Sequence, residues 1–333
     1  MKKKVKLNHD VVTFALVVLL YAVVAFLLYS GSLTRQIANM LIPISVYIVL
    51  AVSLNLVVGL LGELSLGHGG FLSVGLFSGC LVAIALSATS LPLFVRLPLS
   101  MIVGGLVAMV FGFIVGLPAL RLKGDYLAIV TLACGEIIKN IITNLDITGG
   151  ALGLNTGAIY SNAKTLLPYA AVLVLLTVLV MMNLKHSKHG RAIMAIRDNP
   201  IAAQSVGLNL TKYKLMAFVT SAALAGAAGA LYGLNYSSLQ SVKFNFNTSI
   251  LVLVFVVLGG LGNIWGSIIA ATLLTLLPEL LRGLSNYRML IYAILLIAMM
   301  LFNNSSFKVR LLEKRAMRQM EKAEKAGGKK EGA

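Results

Sequence analysis

The chain has 333 residues, of which 59% are drawn from Ala, Val, Ile, Leu, Met, Phe, Trp, Tyr and Cys and only 12% are charged, with a net charge of +17. So few charges, at a mean hydropathy of +0.92, cannot wet the surface of a soluble enzyme, a disordered chain or a coiled coil, and those classes are excluded. The positive excess is not a nucleic-acid footprint either, because Lys and Arg collect at the N-terminus, in one central segment and in the C-terminal tail, beside long apolar runs.

About 20 apolar residues cross ~30 Å of hydrocarbon as a helix. In chain order, runs of that kind occupy 11–29, 40–58, 70–88, 99–118, 126–143, 167–184, 214–235, 248–261, 264–281 and 288–302. They predict an all-α polytopic transmembrane bundle of about ten spans with no soluble insertion, over residues 11–303. The first run follows Lys2, Lys3, Lys4 and Lys6, as a signal peptide would. Its apolar stretch is long and Tyr29 to Thr34 is a poor cleavage site, so an uncleaved helix is expected. The eighth run is short and fits a broken or re-entrant helix.

Charge sets the orientation. With the N-terminus (1–10) inside and ten spans, 21 of the 28 basic residues fall on the inner side. Both termini are therefore expected to be cytoplasmic, including a basic tail at 304–333. Within that tail, Lys308 to Lys325 fits a surface helix beside anionic lipid, and 326–333 a solubilising end.

Three spans carry small residues four apart: Gly104, Ala108, Gly112 and Gly116; Ser221, Ala225, Gly229 and Gly233; Gly75, Gly79 and Ala83. That spacing puts each set on one helix face, where backbones can approach closely. Cys80 and Cys134 lie inside apolar runs and read as packing thiols. No Gly-x-x-x-x-Gly-Lys-Ser/Thr loop, His-Glu-x-x-His or Gly-x-Ser-x-Gly motif occurs. ATP binding through a P-loop and intramembrane hydrolysis are thus unsupported, and neither a metal nor a cofactor is expected.

The central segment reads His186-Ser-Lys-His-Gly-Arg-Ala-Ile-Met-Ala-Ile-Arg-Asp-Asn-Pro-Ile-Ala-Ala-Gln-Ser-Val-Gly207. Asp198 or Asn199 suits an N-cap, Pro200 the first helical position and Gly207 the position after the end. A helix of about seven residues results, too short to be stable without a partner surface. By itself it also reads as an ordinary surface loop helix.

Ala202-Ala203, three residues, then Gly207 resembles the coupling segment of ABC importer permeases, with Ile201 where the usual pattern has Glu. Gly190-Arg-Ala-Ile-Met-Ala-Ile-Arg-Asp-Asn199 and the residues from Ala202 to Asn209 are similar to the LivM-type permeases of branched-chain amino acid transporters. So are Ser53-Leu-Asn-Leu56 with Leu64-Ser-Leu-Gly-His-Gly-Gly-Phe71, and Arg121 to Leu132 with Gly135-Glu-Ile-Ile138. Val257-Leu-Gly-Gly-Leu-Gly-Asn-Ile-Trp-Gly266 completes a set that covers roughly 50–280. The resemblance implies a non-enzymatic subunit of an ATP-driven importer in the bacterial cytoplasmic (inner) membrane. Its partners would be separate ATPase subunits, a second homologous permease and an extracytoplasmic solute-binding protein. It further implies that Arg197, Asp198, Asn199, Pro200, Ile201, Ala202, Ala203 and Gly207, within the segment 186–213, couple to the ATPase.

Polar groups at membrane depth are costly and usually face protein or water. Glu63, Ser65 and His68 sit in a Gly-rich break (Gly59, Gly62, Gly67, Gly69, Gly70) that either lines the translocation path or is a structural kink. Asn55 and Glu136 are the other path candidates, and Glu136 has Lys139 three residues on, placed to pair with it. Two alternatives stay open: an ABC permease for another small solute (sugar, nucleoside, urea or amide), and a proton-coupled secondary transporter using Glu63, Glu136 or Lys139.

Overall fold

A computed structural model describes residues 9–281 apart from Ser90 and Lys123, and scattered positions between 287 and 301. The expected tenth span at 288–302 is covered only at those scattered positions. The segments 1–8 and 304–333 lie outside the described residues. The chain divides into two compact units, Met1–Leu276 and Leu277–Ala333. The second is represented by the end of one helix and by isolated helical positions from Leu290 to Leu301.

The first unit is helical. Its long elements are α1 (His9–Tyr29), α2 (Arg35–Asn55), α3 (His68–Ser87), α4 (Leu93–Ala119), α5 (Asp125–Asn144) and α6 (Ala163–His186). Two short helices follow, α7 (Lys188–Asp198) and α8 (Pro200–Ser205), then α9 (Leu210–Gly233), α10 (Phe246–Gly259) and α11 (Ile264–Leu280). Among the described residues, seven stretches are long and apolar enough to cross a membrane: 36–61, 68–87, 93–119, 125–144, 163–186, 210–233 and 241–259. Phe14–Tyr29 and Ile264–Leu280 are shorter apolar helices. Nine expected spans therefore fall on helices. In the eighth, the α-helix itself (α10) has 14 residues, about 21 Å at 1.5 Å per residue, and the stretch reaches span length at 241–259 only with the turn before it.

Lipid tails are as apolar as leucine, so helices in a membrane associate through close packing of small residues. The centre of the bundle is built that way. A methyl group added at Gly75 of α3 would fall on the backbone of Gly226 of α9, and one at Gly226 on Ala108 of α4 and the backbone of Gly104. Gly112 faces Ala222, Gly79 faces Ala230, and Gly229 faces the Leu72 carbonyl. All three small-residue stripes meet in this α3–α4–α9 core. The opposite face of α4 presents Ile102, Leu106, Val110, Phe113 and Ile114 outward, a stripe of exposed apolar side chains suited to lipid.

Beside that core runs α2, its residues Ile42, Val46, Val49, Leu50 and Leu54 all buried. It continues into one wide π-helical turn, Leu56–Leu61, which stops at Gly62 with φ 77°. The chain then runs without regular structure to α3. His68, the first residue of α3, meets Ser221, eleven residues into α9. At 1.5 Å per residue, α3 thus begins about 16 Å along its neighbour, inside the bundle. Far along the chain, β1 (Leu154–Asn155) pairs antiparallel with β2 (Ser238–Leu239), tying the α5–α6 connection to the segment after α9.

Gly226→Leu should lower the thermal midpoint of the detergent-purified protein, because overpacking a tight contact costs ~1–3 kcal/mol or more. Leu106→Ala, on the outward stripe of α4, should leave it near the parent. Equal midpoints for Gly226→Leu and the parent would contradict the packing scheme.

Candidate functional site

The segment after α6 is built by local chemistry. Ser187 caps α7, its Oγ accepting from the Gly190 amide at 3.0 Å. Ala192, Ile193 and Ile196 make the buried face of α7. The residue before a proline is pushed out of helical geometry, and Asn199 sits at φ −154°, ψ 100°. Its Oδ1 accepts from the amides of Ile201 and Ala202, both at 3.1 Å, and Pro200 takes the first position of α8. The helix has six residues, one fewer than expected, and Asn199 is the cap rather than Asp198. Gly207 (φ 84°) closes it in a left-handed turn that only glycine adopts freely, with the Leu208 amide donating to the Ala203 carbonyl at 3.1 Å. Ala203 is buried, while Ile201 and Val206 are 78% and 77% exposed. Helix α7 was not separated from its surroundings by the sequence reading. Ser187, the Ala192/Ile193/Ile196 spacing and the Asn199-Pro200 stop were the available signals.

Arg197 turns inward. Its Nη1 donates to the Gly59 carbonyl in the π-helical turn at 3.2 Å, and its Nε and Nη2 donate to Asp198 at 3.0 and 2.8 Å. The stem lies over Gly62, where a Cβ would come 2.5 Å from Arg197 Cγ. Nearby, Glu63 forms an ion pair with Lys214 of α9, both side chains mostly buried. These groups border a cavity of about 570 Å³ that also touches Arg121, Pro200, Ile201, Gln204 and Thr211. Lys214 carried no signal in the sequence beyond being the last basic residue before an apolar run.

The polar groups at depth are held in separate places. Asn55 is fully buried and fully engaged. Its Nδ2 donates to the Asn263 carbonyl (3.2 Å) and Ser267 Oγ (2.9 Å), and its Oδ1 accepts from the Gly262 amide at 2.8 Å. It therefore pins the α10–α11 connection to the end of α2. Ser221 donates its hydroxyl proton to the Ser53 carbonyl, so the Nε2 of His68 is the donor toward Ser221 Oγ at 2.9 Å. His68 Nδ1 and Ser65 Oγ are buried without a protein partner. The α3 start is secured further by the Gly69 amide donating to Ser249 Oγ and the Leu66 amide donating to Thr131 Oγ1. Ser221 was legible only as a small packing residue, and the hydroxyls of Thr131 and Ser249 did not stand out among the apolar runs.

Glu136 is different, with a side chain about 30% exposed. It pairs with Lys139 as their spacing suggested, and its Oε1 accepts from the Phe246 amide at the start of α10 at 2.8 Å. A carboxylate at a helix N-terminus is electrostatically favoured. The structure thus does not gather the five path candidates at one cavity. Glu63 lines the cavity beside α8, Asn55, Ser65 and His68 are inside the packed bundle, and Glu136 lies at the edge of α5. Among the described residues, no group of three or more His, Cys, Asp and Glu could hold a metal ion.

Comparison with known proteins fits this arrangement. A family model described as "Branched-chain amino acid transport system / permease component" matches residues 36–302. The high-affinity branched-chain amino acid transport system permease protein LivM of Salmonella typhimurium is 37% identical over 288 residues, 77% of this chain and 66% of that protein. Its counterpart in Escherichia coli is 36% identical over the same extent. The permease protein LivH of Escherichia coli is 23% identical over 246 residues, 69% of this chain and 80% of that protein. The match to the two LivM proteins spans just under two thirds of their length. No solved structure matches. With most of the chain inside the family match and seven helices fit to cross a bilayer, the chain is a multi-pass membrane protein and belongs to the family of permease components of branched-chain amino acid transport systems.

Proposed function

We propose that the chain is a membrane-spanning permease subunit of an ATP-driven (ABC) importer of branched-chain amino acids in a bacterial inner membrane. ATP is hydrolysed by separate ATPase subunits, a second homologous permease completes the path, and an extracytoplasmic binding protein delivers the substrate. The names of the LivM and LivH relatives support the cargo and the presence of two kinds of permease. The chain has about ten spans with both termini cytoplasmic, a reading that the distribution of basic residues supports.

The observation that carries the coupling role is α8. A six-residue helix is fixed by a cap, a proline and a left-handed glycine, buries Ala203 toward its own protein and holds Ile201 and Val206 outward. Two apolar side chains held in water on a rigid short helix are suited to a groove on a partner. Pushing on α8 moves α7 with it, because only Asn199 separates them.

The path runs past α5. The uncovered face of α4 is purely apolar and faces lipid. That of α5 includes Ile129, Ile137 and Ile141 but also Glu136, Asn140 and Asn144. A carboxylate and two amides directed at hydrocarbon are costly, so this face borders the second permease and a water-accessible route. The proton-relay alternative is not favoured, since Glu63 and Glu136 are each paired with a lysine.

Two outcomes are expected in the native membrane. Ile201→Asp or Gly207→Asp should insert normally yet lose co-purification of the P-loop ATPases and all uptake. The Gly207 site has open space for the new side chain but its φ of 84° strains any residue other than glycine, so Ile201→Asp, which leaves that turn intact, is the deciding variant. Retained ATPase binding, or uptake driven by a proton gradient in these variants, would overturn the coupling assignment. Glu136→Gln should keep the ATPases bound but reduce leucine uptake roughly tenfold or more, through loss of a charge-assisted contact. Unchanged uptake would remove Glu136 from the path.

A further inference from the structure

We propose that Arg197 and Asn55 are positioning residues at the two ends of one connection, which carries movement of α8 through the π-helical turn of α2 to the α10–α11 connection. This rests on α8 being the contact for the ATPase.

Arg197 is the penultimate residue of α7, and one residue separates α7 from α8. Its position is therefore tied to that of α8. The last carbonyls of a helix lack intrahelical partners, and a cation at that end is electrostatically favoured. Arg197 supplies both needs for α2, through the hydrogen bond from Nη1 to the Gly59 carbonyl. Its stem is seated on Gly62, which has no side chain to displace it.

Gly59 lies four residues after Asn55, on the same face of the same helix end. The absence of a Cβ there lets two partners in at once, because an added methyl would overlap both Asn55 Oδ1 and the Gly262 amide. Asn55 in turn holds Gly262, Asn263 and Ser267 through three hydrogen bonds of 2.8–3.2 Å. One end of α2 is thus gripped by Arg197 from the α8 side and grips the α10–α11 connection on the other. From there α10 runs 14 residues to Phe246, whose amide meets Glu136. A continuous series of hydrogen bonds and one stiff helix therefore joins α8 to the group placed on the path. The family resemblance implies that Arg197 meets the ATPase, and Asn55 is a path candidate as a polar group at membrane depth; here the two are read as members of one link.

A covalent bridge tests this. Position 62 has its ideal Cβ 3.5 Å from Arg197 Cβ, within the 3.5–4.5 Å of disulfides, and because Gly62 lies at φ 77°, Gly62→Cys alone serves as the control for backbone strain there. The Gly62→Cys/Arg197→Cys pair is made in a Cys80→Ala/Cys134→Ala background. The complete transporter, with its ATPases, second permease and binding protein, is reconstituted in proteoliposomes. Leucine taken up per ATP hydrolysed is then measured before and after oxidation. Reduced, the pair should show a ratio lowered roughly fivefold or more, as for a lost coupling of ordinary size. Oxidation should restore much of it. Arg197→Ala and Asn55→Ala should each lower the ratio, and together no more than the worse of the two, with Arg197→Lys partly recovering it. A normal ratio in Arg197→Ala overturns the proposal, as does oxidation that lowers the ratio further, because the two segments would then have to slide. If Asn55→Ala fails to assemble, the bridge alone decides. Absence of any ATP-dependent leucine uptake by the unmodified transporter would instead remove the importer reading on which this rests.

Discussion

Close backbone approach at small residues is the constraint on which the rest of this bundle depends. In lipid, burying a leucine against another helix gains little over leaving it among acyl chains, so the helices need another reason to associate. Here α3, α4 and α9 supply it with Gly75, Gly104 and Gly226, which let three backbones come together with no side chain between them. Once that contact is fixed, the outward faces follow. α4 presents only apolar side chains outward, and it has no polar group to satisfy there.

The same solvent dictates how the break between α2 and α3 is built. Backbone that leaves helical geometry at depth must find every partner inside the protein. The amides of Leu66 and Gly69 do so on Thr131 and Ser249, the carbonyl of Ser53 on Ser221, and the carbonyl of Gly59 on Arg197. Each partner comes from a different helix. The break therefore ties α5, α7, α9 and α10 to the region between α2 and α3. His68 Nδ1 and Ser65 Oγ are the exceptions, buried at the same place without a protein partner.

Much of this was legible in the sequence where the signal is one-dimensional. Apolar runs of span length placed nine helices, and four-residue spacing placed the small-residue contacts of α3 and α4, while those of α9 run mainly through Ala222, Gly226 and Ala230 beside the expected stripe; Asn199, Pro200 and Gly207 delimited α8 within one residue. Those features depend on the chain's own neighbours along the helix. What escaped depends on which distant segments meet. Lys214 looks like any flanking basic residue until Glu63 is beside it, 151 positions away. Ser221 and Ser249 are lone hydroxyls in apolar helices, where nothing along the chain distinguishes a partner on another helix from back-bonding to their own. The turning of Arg197 toward Gly59 rather than outward was invisible for the same reason, since no periodicity records a contact 138 residues apart. The family motifs included Arg197 but not Gly59, and a motif gives membership and not direction.

The order of α8 bears on how force could pass through it. Six residues do not hold helical shape by themselves, because nucleation is costly and there are too few bonds to offset it. The shape is imposed at each end, by Asn199 and Pro200 at the start and by the Gly207 turn at the finish, and by burial of Ala203 in between. Local capping of this kind fixes the helix relative to its own chain and leaves its outer face unspent. What it cannot do is fix the helix relative to the membrane bundle. That task falls to Arg197 and to the apolar face of α7, which joins α8 to the end of α2 across less than one helical turn. In this chain the caps stiffen α8 and the Arg197 contact holds its root to the end of α2, the two properties that the proposed coupling role would need.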